Sequence, residues 1–195
     1  MDERVFVTRG GDKLRAALDH FHIEVTGLIC ADLGSHEGGF VDCLLQYGAK
    51  SVYAVDTSYG TLAWKLRKDP RVIVHERTNA IHVVLPEKVD VVTIDVGWTP
   101  QHIILPNARK LLAENGSVIS LIKPHYEAPK EWVERGVLIE ARYDEVVAAT
   151  LQRISSIGWE VRGTIESPIR GHAGNREILA WLVPTSQSHS PRMGD

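Results

Sequence analysis

Short apolar runs alternate with longer amphipathic segments along most of the chain. Seven of these runs have the length and composition of strands, and they span residues 28–33, 51–55, 72–75, 89–94, 117–122, 160–165 and 178–183. Segments with apolar residues at helical spacing precede or separate them, at 10–21, 39–47, 59–68, 79–85, 99–112 and 141–156. Because strands that alternate with helices pair in parallel, this pattern predicts a doubly wound α/β sheet.

The end of the chain departs from that alternation. Residues 167–176, between the last two predicted strands, leave no room for a helix, so these strands are expected to form an antiparallel hairpin. No repeat or linker divides the sequence, which predicts a single domain over residues 1–184. The polar, proline-containing segment 185–195 is predicted to be a flexible tail.

Composition and charge narrow the possible partners. The chain has 195 residues with 44% apolar and 24% charged side chains, as in an ordinary globular protein. Its formal charge of −3 gives no overall attraction to nucleic acid, so a polyanion site would have to be a local patch. The sequence contains neither a membrane-spanning apolar run nor a signal-peptide layout at Met1, which favours a cytoplasmic location without membrane contact.

Two cysteines, Cys30 and Cys43, lack the spacing that metal sites use. They are interpreted as core thiols, and no metal is expected.

A glycine-rich turn follows the first predicted strand, where open α/β sheets bind ligands. Its spacing, G-x-x-x-G-G from Gly34 to Gly39, differs from the G-x-G-x-x-G of dinucleotide sites, and a purely structural turn is the alternative. Asp56 ends the second strand, where a carboxylate can accept hydrogen bonds from both hydroxyls of a ribose. Glu37 in the loop would compete with a bound phosphate.

A ribose site without a phosphate cradle, in a sheet with an antiparallel ending, favours S-adenosylmethionine and a Rossmann-like class I methyltransferase fold. Asn79 follows the third strand and is either an adenine contact or a plain turn residue. The residues expected to bind the cofactor lie at the ends of the first four strands: Asp32, Gly34, Ser35, Gly38, Gly39, Phe40, Asp56, Asn79 and Asp95.

Two ionisable residues, Asp95 and Lys123, close the fourth and fifth strands. In a doubly wound sheet both reach the ligand edge on neighbouring strands. A lysine directly after an apolar strand is costly to desolvate, so it needs a partner or a chemical role. A structural ion pair with Asp95 is the alternative to catalysis.

Eight segments carry a resemblance to a known family: 8–14 (TRGGDKL), 38–45 (GGFVDCLL), 53–56 (YAVD), 62–66 (LAWKL), 76–80 (ERTNA), 121–124 (LIKP), 167–171 (SPIRG) and 174–177 (GNRE). In order and spacing, from about Val7 to Trp181, the chain resembles the catalytic domain of the TlyA/hemolysin A family. That family belongs to the FtsJ-like ribose 2'-O-methyltransferases of ribosomal RNA, so the resemblance implies S-adenosylmethionine as cofactor and RNA, in particular ribosomal RNA, as partner.

The chain differs from the family in two places. Family members usually carry an S4-type RNA-binding domain ahead of the catalytic one, whereas this chain begins close to Thr8. After Asp95 the family commonly has a serine-phenylalanine-isoleucine stretch, and this chain has Val96-Gly97-Trp98-Thr99-Pro100 instead. Trp98 is expected either to alter the substrate cleft or to repack it.

The resemblance also implies a catalytic tetrad of Lys13, Asp95, Lys123 and Glu177. Lys123 is the predicted base, because a ribose hydroxyl must lose its proton as it attacks the methyl group. Lys13 and the sulfonium favour the uncharged amine that can accept this proton, whereas Asp95 and Glu177 favour the charged one. Patterning alone would not have selected Glu177, since a glutamate in a hairpin is usually a solvated side chain.

Basic residues that flank the tetrad are predicted to bind RNA phosphates: Arg9, Arg170 and Arg176. The basic run 65–71 is interpreted as a solvated surface. Tyr126 and Trp132 are expected either to stack an unpaired base or to fix their loop to the core. A small-molecule O-methyltransferase and a non-catalytic cofactor- or RNA-binding regulator are the alternative functions.

Overall fold

The computed structural model describes residues 5–185, except for the side chain of residue 172. The helices are α1 (Gly10–Phe21), α2 (Gly39–Gln46), α3 (Trp64–Arg67), α4 (Gln101–Leu111), α5 (Pro124–Glu127) and α6 (Tyr143–Ser156). The strands are β1 (Ile29–Leu33), β2 (Ser51–Val55), β3 (Val72–His75), β4 (Val89–Ile94), β5 (Leu112–Ile122), β6 (Val133–Glu134), β7 (Val137–Leu138), β8 (Trp159–Glu166) and β9 (Ile178–Pro184).

Seven strands form one sheet in the order β3-β2-β1-β4-β5-β9-β8. The first five strands pair in parallel, and β9 runs antiparallel to both β5 and β8. The predicted doubly wound sheet with an antiparallel ending is therefore confirmed. A separate two-stranded hairpin, β6–β7, lies outside the sheet.

Successive residues of the central strands enter two different cores, as the period of a strand requires. In β2, Val52 and Ala54 join the core built with α1 and α2, while Tyr53 and Val55 join the core built with α4 and α6. Both faces of the sheet are thus covered by helices. This burial explains why the parallel strands read as nearly continuous apolar runs.

Two predicted helices fail because tertiary contacts use their backbone groups. Only Trp64–Arg67 of the segment 59–68 is helical; Gly60 has φ of 71° and its amide donates to the Glu76 carboxylate at 2.8 Å.

Segment 79–85 forms no helix, because its carbonyl groups are used elsewhere. The Asn107 amide, from α4, donates to the carbonyls of Ala80 and Val83 at 2.8 and 3.1 Å. A short helix, α5, and the β6–β7 hairpin were not predicted from the sequence.

The remaining expectations concern thiols, membrane contact and the termini. Cys30 and Cys43 are buried free thiols, and burial raises the pKa of Cys30 to about 12 and raises that of Cys43 as well. Within residues 5–185, no helix has the length and apolarity to cross a bilayer. The predicted tail lies almost wholly outside the described residues, which end at residue 185.

Candidate active site

The carboxyl ends of the parallel strands surround a cleft of about 710 Å³. All four residues of the predicted tetrad line it, although Lys13 and Glu177 are 164 positions apart in sequence. The cleft is also lined by Gly34, Asp56 and Asn79 from the predicted cofactor site. One edge of the sheet therefore holds both predicted groups of side chains.

Lys123 and Asp95 meet because β4 and β5 are neighbours in parallel register, with Ile94 opposite Ser120. Asp95 follows β4 and Lys123 follows β5 directly, so both side chains extend beyond the sheet at the same end. The Lys123 Nζ lies 2.6 Å from Asp95 Oδ1 and donates to the Val96 carbonyl at 3.1 Å. The structural pair considered as an alternative is thus present, and it faces the cleft.

Glu177 reaches the same place through the antiparallel strand. Ile122 pairs with Ile178 across β5 and β9, so Lys123 and Glu177 flank the same rung of the sheet. Lys13, in the first turn of α1, places its Nζ 2.5 Å from Glu177 Oε2. A cation in the first turn of a helix is repelled by the partial positive charge at the N-terminal end of the helix dipole. The Glu177 carboxylate compensates this cation.

The two ion pairs differ in their access to solvent. The side chains of Lys13 and Glu177 are 10% and 3% exposed, whereas those of Lys123 and Asp95 are 15% and 27% exposed. Charges as enclosed as those of Lys13 and Glu177 require well-matched partners. Lys13 and Glu177 therefore form the enclosed half of the tetrad, and Lys123 and Asp95 the half that a substrate can approach.

The glycine-rich loop packs closely against other segments of the chain at two positions. Gly34 has φ of 90°, and a Cβ there would lie 2.5 Å from the Asp95 carbonyl oxygen. A Cβ at Gly39 would lie 2.3 Å from Thr8 Oγ1. Gly38, in contrast, lines neither this cleft nor the smaller cavity described next, and it packs against Leu62 and Leu66. Its position therefore indicates a packing role.

A smaller cavity of about 80 Å³ lies behind the loop and shares Gly34 with the cleft. Four of the predicted cofactor residues line this cavity and are absent from the cleft wall: Asp32, Ser35, Gly39 and Phe40.

Asp32, in β1, has one oxygen paired and one unpaired. Its Oδ1 accepts a hydrogen bond from the Thr93 hydroxyl at 2.6 Å, whereas its buried Oδ2 has no partner among the described residues. Burial raises the pKa of Asp32 to about 8, with Asp95 and Asp56 adding to the rise and Thr93 opposing it. An unpaired buried oxygen is costly, so a donor or cation in the cavity would stabilise it.

Asp56 is held by the loop it faces. Its two oxygens accept the backbone amides of His36 and Ser58, at 2.8 and 2.7 Å. Burial acts to raise the pKa of Asp56, but its interactions with Ser58 and then with His36 outweigh burial, and the pKa is lowered. Asp56 is therefore a fixed carboxylate, and each of its oxygens keeps a second lone pair for a ligand hydroxyl.

Asn79 forms the turn that was one of its two interpretations, and the adenine contact stays a prediction. Its Oδ1 accepts the amide of Ile81 at 3.0 Å, as in a plain turn, and the residue also lines the cleft.

An aromatic pair lies at the rim of the cleft. Trp98 is 85% exposed, and its ring centroid lies 4.8 Å from that of Tyr126, which lines the cleft beside Lys123. Trp98 also has a positive φ of 60°, which is uncommon for a bulky residue. Trp132 instead packs on the core beneath the Arg142 guanidinium. Of the two predicted stacking residues, Tyr126 is the one at the cleft.

The three arginines predicted to bind RNA occupy different positions. Arg9 is exposed and lines the cleft, and Arg170 is exposed outside its wall. Arg176 pairs with Glu140 and Glu166 at 2.8 Å each and covers the Tyr143 ring. This geometry favours a structural role for Arg176.

In the basic run, three of the four cations bind carboxylates of the protein. The pairs are Lys65–Asp42, Arg67–Glu76 and Arg71–Asp69.

Comparison with known proteins identifies the family. The sequence model of the FtsJ-like methyltransferase family matches residues 6–183, which is nearly the whole described chain. The chain belongs to the FtsJ-like methyltransferase family. The cleft at the strand ends is therefore the candidate methyl-transfer site of a family member.

Its relatives within the family are longer. The 16S/23S rRNA (cytidine-2'-O)-methyltransferase TlyA of Mycobacterium tuberculosis is 39% identical over 187 residues, which cover 92% of this chain and 69% of that protein. YqxC of Bacillus subtilis (strain 168), named as a candidate rRNA methyltransferase, is 42% identical over 188 residues that cover 91% of this chain. The chain spans only 65% of YqxC, less than two thirds of its length.

A solved structure from Streptococcus thermophilus, named as a candidate hemolysin, has the same fold. It is 37% identical, with a TM-score of 0.91 over 96% of this chain and 70% of that one. Fibrillarin from Aeropyrum pernix, solved with bound S-adenosyl-L-methionine, has a TM-score of 0.65 at 20% identity, covering 93% and 85% of the two chains. This second likeness concerns the fold alone.

We predict that Lys13→Met lowers the free energy of unfolding by about 3 to 5 kcal/mol, because it leaves the Glu177 carboxylate buried without its cation. Urea unfolding followed by circular dichroism measures the loss. Glu145→Gln, which breaks the exposed Arg142–Glu145 pair, is the control and should cost about 0 to 1 kcal/mol. The double variant Lys13→Met/Glu177→Leu should regain most of the loss; equal instability of the single and double variants would contradict the ion-pair explanation.

Proposed function

We propose that this chain transfers the methyl group of S-adenosylmethionine to a ribose 2'-hydroxyl of RNA, with ribosomal RNA as the substrate. The observation that carries the proposal is the cleft in which Lys13, Asp95, Lys123 and Glu177 come together beside Asp56. A ribose 2'-O-methyl transfer needs a proton acceptor next to a ribose-binding cofactor site. A ribosomal RNA substrate would also place the reaction in the cytoplasm.

The residues at the strand ends fit S-adenosylmethionine, whose sulfonium supplies an activated methyl group. Asp56 has lone pairs left for the two hydroxyls of the cofactor ribose, and Asn79, which lines the same cleft, is proposed to contact the adenine edge. The unpaired oxygen of Asp32 is suited to the ammonium of the methionyl part, which is a donor and a cation. Gly34 and Gly39 let the loop pack against Asp95 and Thr8, where a Cβ would clash.

Lys123 is assigned the role of proton acceptor. Its Nζ contacts Asp95 and the Val96 carbonyl, which in the uncharged amine would leave the lone pair for the hydroxyl of the substrate. The amine would take the proton of the 2'-hydroxyl as the carbon–oxygen bond forms and the methyl–sulfur bond breaks, with S-adenosylhomocysteine as the leaving group. It would then be an ammonium paired with Asp95.

RNA binding is assigned to local features, because the chain has a formal charge of −3. Arg9 at the cleft wall and Arg170 outside it are proposed to bind phosphates. The Trp98–Tyr126 pair offers an exposed π surface next to Lys123, which suits an unpaired base. The name of the M. tuberculosis relative supports ribosomal RNA as the substrate.

The proposed reaction is tested by incubating the protein with labelled S-adenosylmethionine and either ribosomal subunits or free ribosomal RNA, and mapping the product by mass spectrometry. We expect label on a 2'-oxygen, and none on an oligonucleotide with a 2'-deoxy residue at the mapped position. Lys123→Met should reduce the rate by about 10² to 10⁴ without loss of S-adenosylhomocysteine binding, because it removes the proton acceptor.

Lys50→Met is the matched control, since Lys50 is exposed and precedes β2 at the opposite end of the sheet. Methylation of a base, transfer only to small acceptors, or near-normal activity of Lys123→Met would each contradict the proposal.

The affinity for S-adenosylhomocysteine should depend on pH through Asp32. Below its pKa of about 8 the Asp32 carboxyl is mostly neutral, and the neutral form attracts an ammonium group less than the carboxylate does. We therefore expect binding to strengthen about tenfold between roughly pH 6.0 and 7.5. Asp32→Asn should remove this dependence in isothermal titration calorimetry. An equally steep pH dependence in the variant would assign it to another group.

Trp98→Ala should raise the KM for RNA about 5- to 100-fold, which corresponds to the loss of one base stack of about 1 to 3 kcal/mol. S-adenosylhomocysteine binding should be unchanged, and Trp98→Phe should retain most of the affinity for RNA. Trp64→Ala is the control, because Trp64 is also exposed, at 67%, and lies against Lys68 away from the cleft. Equal effects of the two alanine variants on KM would contradict a specific stacking role.

A further inference from the structure

Glu177 is the tetrad residue that lies at the junction of a long loop and a strand. It precedes β9 at the end of the loop 167–177, where Ala173 and Gly174 have positive φ values of 55° and 86°. Its backbone carbonyl accepts the amide of Ser167 at 2.8 Å, which closes the base of the loop. The orientation of the carboxylate therefore depends on what fixes the rest of the loop.

Asn175, two residues earlier, joins this loop to the β6–β7 hairpin. Its Oδ1 accepts the amide of Leu138 at 3.1 Å, and its Nδ2 donates to the carbonyl of Gly136 at 2.8 Å. The residue is only 3% exposed. A side-chain amide supplies a donor and an acceptor at once, as these two backbone groups require, whereas a carboxylate supplies no donor.

The same residue also orders the other side of the loop. The Asn175 carbonyl accepts the amide of Gly171 at 2.9 Å. Gly171 lies directly against the tetrad, since a Cβ there would be 2.0 Å from Glu177 Oε1. Asn175 thus holds the hairpin on one side and, on the other, the glycine against which the Glu177 carboxylate rests.

We propose that Asn175 is a positioning residue for methyl transfer, which fixes the Glu177 carboxylate against Lys13 by joining the loop 167–177 to the β6–β7 hairpin. Asn175 lines neither cavity, so it acts through Glu177 and not through contact with cofactor or RNA. Only the kinetic part of this inference rests on the proposed function. The structural part concerns the Lys13–Glu177 ion pair itself.

The kinetic test compares Asn175→Ala and Asn175→Asp with the wild-type protein. Asn175→Asp is nearly isosteric but loses the donor to Gly136. Both should lower kcat about 10- to 100-fold, as expected for a misplaced catalytic group, with KM for RNA and the Kd of S-adenosylhomocysteine within about twofold of wild type. In a Glu177→Gln background, Asn175→Ala should lower kcat by less than about twofold. An unchanged kcat, or a full additional loss in that background, would overturn the proposal.

A second measurement does not require activity. The ammonium protons of Lys13, enclosed with Glu177, should give an NMR signal in the ¹⁵N-labelled wild-type protein, assigned by its loss in Lys13→Arg. We expect Asn175→Ala to abolish that signal through faster exchange with water. Glu140→Gln, which removes a neighbouring ion pair of Arg176, should preserve it. If the wild-type protein methylates no RNA but this pattern holds, the proposed function fails and the positioning role stands.

Gly171→Ala covers the case in which the Asn175 variants do not fold. Gly171 has no positive φ, so its backbone accepts alanine, and the new methyl group must displace the Glu177 carboxylate. It should reproduce the loss of kcat and of the Lys13 signal. Retention of both would overturn the claim that this contact sets the position of Glu177.

Discussion

The site depends on one enclosed ion pair between groups 164 positions apart, Lys13 and Glu177. Their contact ties α1, which precedes the sheet, to the loop that enters its last strand. Neither charge is stable alone at such low exposure, so the pair requires both segments in place together. The same requirement places a cation and a carboxylate beside Lys123 and Asp95, because Glu177 and Lys123 flank the rung formed by Ile122 and Ile178.

The charged side chains of the cleft include groups suited to the proposed cationic donor and to the proposed anionic substrate. The carboxyl groups of Asp32 and Asp56 lie at the strand ends, where the cofactor is proposed to bind. At the rim Arg9 is exposed and positive, the Trp98 ring is exposed and neutral, and Glu37 of the glycine-rich loop is exposed and negative. Arg9 is therefore the rim group proposed to attract a polyanion to a chain with a net negative charge. Arg176 contributes little to this rim, because its guanidinium is neutralised by two carboxylates.

Much of the fold was predictable because it follows from local periodicity. The bounds predicted from the apolar pattern agree with the structure to within a few residues for seven strands and four helices, apart from an earlier start of β5. The antiparallel ending was predicted as well. The errors fall where side chains take over backbone groups, as Asn107 does for the carbonyls of Ala80 and Val83. A pattern of single residues contains no information about such contacts between distant segments.

The same limit applies to the candidate site. Asp95 and Lys123 could be selected from the sequence, because each directly follows an apolar strand and the topology brings the two strands together. Glu177 could be selected only through the family resemblance, since a glutamate in a hairpin is usually a solvated side chain and its partner Lys13 lies 164 positions away. Asn175 lies in the GNRE segment that carries the resemblance, but that segment gives it no role: its role becomes visible only when its amide is seen to bind Gly136 and Leu138 at once. Coordinates therefore add most for residues whose function is to position another residue. Such residues are recognised from hydrogen bonds between segments that are distant in sequence.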